Sequence, residues 1–209
     1  MRSIRKPGIC IIFSKSADER SVYYPRWRQV ARAASSYLVT KEANKLLEIW
    51  LDLGDEARLP GRRDIRPESM PGLLSDIWLM DYEGETARLR YRLVGENIRA
   101  RYDFPLVGKY LDETLAPEAK ERVLRYFLAC VEKPAVSIVA GRLYHEWDRP
   151  GYGERLLLPL LDPAGNPEGL IGITLCKQVF ESRPEAEERA KRVTSILPLD
   201  GSPISEESS

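Results

Sequence analysis

The chain has a single histidine, His145, and only three cysteines, Cys10, Cys130 and Cys176, without paired spacing. One histidine removes hydrolytic schemes that need several. Unpaired cysteines exclude a disulfide framework and a cysteine-rich zinc site, and they fit a reducing compartment, so a cytoplasmic protein is expected. The amino-terminal apolar run at 9–13 has five residues, whereas a membrane-spanning helix needs about 20 and a signal-peptide core about 7 to 15. Neither charge sign dominates: 32 Lys and Arg balance 32 Asp and Glu, so no global field draws in nucleic acid or anionic lipid. A nucleophile elbow, a phosphate-binding glycine loop and zinc-ligand spacing are all missing. No segment repeats with a period of 20–50 residues.

With 43% hydrophobic and 31% charged residues, the composition is that of a globular chain, and 209 residues suit one domain with extensions. The charge is unevenly distributed. Residues 1–45 carry ten basic against three acidic side chains, a net of +7, and residues 181–209 carry four against seven, a net of −3. Residues 1–40 read as a basic, partly disordered extension, 41–180 as the domain, and 181–209 as a charged tail in which 184–193 has a helical composition and 202–209 is polar.

Within that outline, Trp27, Val30, Ala31, Ala34 and Leu38 follow Pro25 at helical spacing, with Arg26, Arg28 and Arg32 between them. A stronger helix is predicted over 41–53, capped by Thr40 and ended by Gly54 in a left-handed conformation. Prolines then interrupt the chain, and Pro67 can open a helical turn. Strands are predicted at 75–81 and 87–94 around a turn at 83–85, helices at 97–102 and 117–132, and strands at 135–144, 154–162 and 170–180. The unbroken apolar stretch 77–80 fits a strand covered on both faces.

The segments Leu59-Pro60-Gly61-Arg62-Arg63-Asp64-Ile65-Arg66-Pro67, Leu73-Leu74 and Tyr91-Arg92-Leu93-Val94-Gly95 stand in this order after Trp50. They are followed by Leu106-Val107-Gly108-Lys109-Tyr110-Leu111 and Leu157-Leu158-Pro159-Leu160. As a set, covering about residues 43–180, they resemble the bacterial, often stand-alone branch of the PAS family. The resemblance implies an α+β fold, a five-stranded antiparallel sheet with helices on one face and a flanking amino-terminal helix. It also implies a non-enzymatic sensory or adaptor role in signalling, through a small ligand, a protein partner or a homodimer.

Such a fold can hold haem, flavin or a metabolite. His145 ends a strand rather than sitting on the long helix where haem-binding PAS domains usually carry it, and residues 96–116 contain no cysteine for covalent flavin chemistry, so both cofactors are disfavoured. A metabolite pocket would be lined by Leu89, Tyr91, Leu93, Tyr102, Phe104, Phe127 and Ile173; the alternative is a filled core, because aromatic residues at such spacing ordinarily pack. Arg88, Arg90 and Arg92 could hold an anion or form a solvated strand face. Arg62, Asp64, Arg92, Gly95 and Gly108 read as structural, with Asp64 capping a turn or tying the lead-in to Arg92. Two other functions compete: a small enzyme using His145, Glu146 and Asp148, and nucleic-acid or membrane binding by the basic arm around Trp27.

Overall fold

Four apolar side chains, Ile77, Trp78, Leu79 and Met80, open strand β1 (Ile77–Glu83). Strand alternation sends Ile77 and Leu79 into one buried cluster, and Trp78 and Met80 into another across the sheet. The computed structural model describes residues 24–56, 58–144, 151–178 and 192–208. Strands β2 (Arg88–Val94), β3 (Ala135–Tyr144), β4 (Gly151–Leu161), β5 (Pro167–Gln178), β6 (Val193–Pro198) and β7 (Ser205–Ser208) complete a sheet in the order β2-β1-β5-β4-β3-β6-β7. Every neighbouring pair is antiparallel.

The α+β class and the antiparallel sheet agree with expectation, but the sheet has seven strands rather than five. The two additional strands come from the segment read as a charged tail. Strand β6 pairs with β3 and buries Leu197, and β7 pairs with β6 although all four of its residues are exposed. Pairing supplies what the Ser- and Glu-rich sequence of β7 does not. The helix expected across 184–193 lies mainly outside the described residues, and its last residue, Val193, begins β6.

Helices lie on both faces of the sheet, another departure from the expected arrangement. On the first face, α1 (Trp27–Ala33) and α2 (Lys41–Leu53) cover Ile138, Leu156, Leu158 and Ile171. Thr40 caps α2 as predicted, its Oγ1 accepting from the Ala43 amide at 3.3 Å. The Trp50 indole N–H donates to the Pro159 carbonyl at 3.0 Å, fixing α2 to β4. Trp27 packs edge-on against Trp50 at 5.1 Å and donates to the Asp55 carbonyl at 3.1 Å. The folded unit therefore begins before residue 40, because α1 supplies core that α2 alone would leave uncovered. Gly54 ends α2 with φ −90°, not in the left-handed region.

The second face is covered by α3 (Glu96–Arg99), α4 (Leu111–Thr114) and α5 (Pro117–Glu132). Pro117 starts α5 where its missing N–H costs nothing. Ala119, Val123, Tyr126, Phe127, Cys130 and Val131 turn inward. Gly95 is required by close approach, since a Cβ there would stand 2.4 Å from the Leu74 and Ser75 backbone. Gly108 is required by its φ of +87°.

Candidate functional site

A cavity of about 140 Å³ lies between α3, α4, α5 and the second face of the sheet. Trp78, Met80, Tyr91, Leu111, Val123 and Phe127 form its apolar wall. Arg155 on β4 also lines it, with only 8% of its surface exposed. Strand parity places it there: Glu154 and Leu156 face the first layer of helices, whereas Arg155 and Leu157 face α5.

Hydroxyls and rings surround the guanidinium. Its Nε donates to Thr174 Oγ1 at 3.1 Å and its Nη1 to the Tyr126 hydroxyl at 2.8 Å. Thr174 Oγ1 also accepts from the Trp78 indole at 3.0 Å. The rings of Phe127 and Tyr144 lie 5.8 and 5.6 Å from the guanidinium carbon. Burial pushes the Tyr91 and Tyr144 hydroxyls above their ordinary value, against an opposing pull from Arg155. Both stay neutral near pH 7 and cannot serve as counter-ions.

Of the seven pocket residues expected from sequence, Tyr91, Tyr102 and Phe127 line the cavity. Leu89 belongs to the same buried cluster without lining it, and Phe104 is 40% exposed against Tyr102. Leu93 and Ile173 lie with the first-face cluster. The β1–β2 register explains Leu93: a bulge leaves Tyr91 opposite Met80 but Leu93 opposite Leu79, so Arg92 breaks the alternation. Ile173 pairs with Ile77 and Leu156, both on the first face. Sequence reasoning missed Trp78, Tyr144, Arg155 and Thr174. The one available signal was an arginine entering an otherwise apolar run in a central strand.

The arginine row on β2 is already committed to carboxylates. Arg88 makes paired 3.0 Å bonds to Asp112 and another at 2.9 Å to Glu113, and it stacks on Tyr110. Arg90 pairs with Glu83 at 3.0 Å and Arg92 with Asp81 at 3.5 Å. Asp64 is anchored to Arg58 at 2.7 Å and to the Gly61 amide at 2.8 Å, not to Arg92. Burial raises the Asp64 carboxyl, but these bonds outweigh it and hold the group below its ordinary range. Arg62 does not pair with Asp64; it reaches Glu168 and Asp81 at 3.5 and 3.6 Å. His145, Glu146 and Asp148 lie outside the described residues. Trp27, the aromatic of the proposed basic arm, is buried, and Arg28 donates to the Gly54 carbonyl at 3.0 Å.

A family model for the PAS domain matches residues 39–175, well over half of the chain. The chain belongs to the PAS family. No curated protein and no solved structure matches it. The matched span starts beside the Thr40 cap and ends in β5, so five PAS strands are present, while α1 and the β6–β7 hairpin lie beyond the match. The cavity falls wholly within the PAS span. No described helix is long and apolar enough to cross a membrane.

Proposed function

We propose that this PAS protein is a non-enzymatic sensory module of bacterial cytoplasmic signalling, which holds a small organic ligand between α5 and the sheet and passes its state to a protein partner. The observation that carries the reading is the aromatic cavity with buried Arg155 in its wall. Apolar walls with a few converging polar groups are the ordinary chemistry of a small-molecule site. The neutral tyrosines Tyr91 and Tyr144, held above their ordinary values, favour binding over proton transfer near neutral pH.

Native mass spectrometry of the purified full chain tests this reading. The expected spectrum is a homodimer carrying a small organic molecule that is released on denaturation. A ligand-free protein that also takes up no small aromatic probe would make the domain a filled-core adaptor. A monomer would remove self-association from the signalling route. Turnover abolished by replacing His145 would overturn the non-enzymatic reading.

A further inference from the structure

Arg155 is a buried cation whose hydrogen-bond partners among the described residues are hydroxyl groups. Thr174 and Tyr126 each accept from one of its five N–H groups, the Tyr144 hydroxyl is a third hydrogen-bond partner, and the rings of Phe127 and Tyr144 flank the guanidinium. Among the described residues no carboxylate pairs with Arg155, and Glu118, the one acidic residue in the cavity lining, is exposed. Burying a charge without a counter-ion is costly, and a guanidinium cannot escape that cost by losing its proton. A filled apolar core would be served better by leucine at this position.

We propose that Arg155 is a carboxylate anchor and that the cavity takes a compact aromatic or branched aliphatic monocarboxylate about the size of benzoate. This rests on the reading of the cavity as a ligand site. The planar fork of a guanidinium matches a carboxylate with two parallel hydrogen bonds. Trp78, Phe127, Met80 and Val123 give the rest of the molecule an apolar bed. The volume, about 140 Å³, is close to that of the engineered apolar cavity of ~150 Å³ that accepts benzene. The other charged residue in the lining, Glu118, is exposed in the first turn of α5 and would repel a second carboxylate.

Isothermal titration of the full chain at neutral pH and low salt, with benzoate, benzyl alcohol and terephthalate, tests the anchor. Benzoate is expected to bind at least tenfold more tightly than benzyl alcohol and more tightly than terephthalate. Arg155→Gln should erase the preference over benzyl alcohol while leaving benzyl alcohol bound. Equal affinity of benzoate and benzyl alcohol overturns the anchor but leaves the cavity as a ligand site, whereas failure of every probe overturns both. Terephthalate binding as well as benzoate overturns the single-charge assignment. If the variant does not fold, the indole N–H resonance of Trp78 decides location in the unmodified protein. Its shift on adding benzoate is expected through the bonds that join Trp78, Thr174 and Arg155, and binding that leaves it unmoved overturns the assignment.

Discussion

Thr174 holds two buried donors with one oxygen, the Trp78 indole at 3.0 Å and Arg155 Nε at 3.1 Å. Thr174→Val keeps the shape and leaves both donors unpaired, so a loss of about 2–4 kcal/mol is expected in urea unfolding; an unchanged midpoint would show that the hydroxyl does not hold them. Asp64 gives a pH-dependent counterpart. Its folded carboxyl lies below the unfolded value of 3.8, so its contribution is complete above that value and disappears as pH falls through the lower folded one. The stability gap between wild type and Asp64→Asn should therefore narrow on acidification, measured by urea midpoints at pH 7 and pH 3. Individual residues were only partly legible in the sequence. Tyr91, Tyr102 and Phe127 could be placed by spacing, but a bulge redirected Leu93, and an apolar strand such as 170–173 carries no mark of which face each side chain takes. Arg155 escaped notice because its setting comes from β1, β5 and α5 together.

At the scale of elements, proline and capping residues did most of the work: α2, α5 and β3 run where their sequence signals place them. The β6–β7 hairpin was illegible because its strands depend on the edge of β3. That dependence runs in both directions. Ending the chain after residue 192 removes the buried Leu197 and Leu199 and bares β3 as an edge. A lower thermal midpoint and increased light scattering are expected; unchanged values would make the hairpin an ornament. Glu154 provides a second link between elements. It accepts from the Val39 amide at 2.7 Å, the Thr40 amide at 3.0 Å and the Thr40 hydroxyl. Glu154→Leu should speed hydrogen exchange at Val39 and Thr40 and cost about 2 kcal/mol, whereas unchanged protection would mean that Thr40 caps α2 without help from β4.

Over the whole molecule, one antiparallel sheet separates two layers of helices, and the PAS span supplies the cavity on one side and the seat of α2 on the other. The antiparallel sheet was what the PAS resemblance implied, and strands and helices could be read from the sequence because period-two patterning, helical spacing and turn residues mark them. The second helical layer could not, because amphipathic helices do not specify which face of a sheet they will cover. Glu154 and Arg155 are consecutive residues of β4 that point through opposite sides of this partition, one into the cap of α2 and the other into the cavity. Their Cα atoms are only ~3.8 Å apart, so information could cross the sheet without a hinge, a sliding helix or a chain of intermediates. Thermodynamic reciprocity then sets a two-way condition: if benzoate at Arg155 slows exchange at Val39 and Thr40, the state with those amides opened must bind benzoate more weakly by the same factor, and Glu154→Leu, which favours opening, should weaken benzoate. Benzoate affinity unchanged by Glu154→Leu would mean that the two sides of β4 act independently.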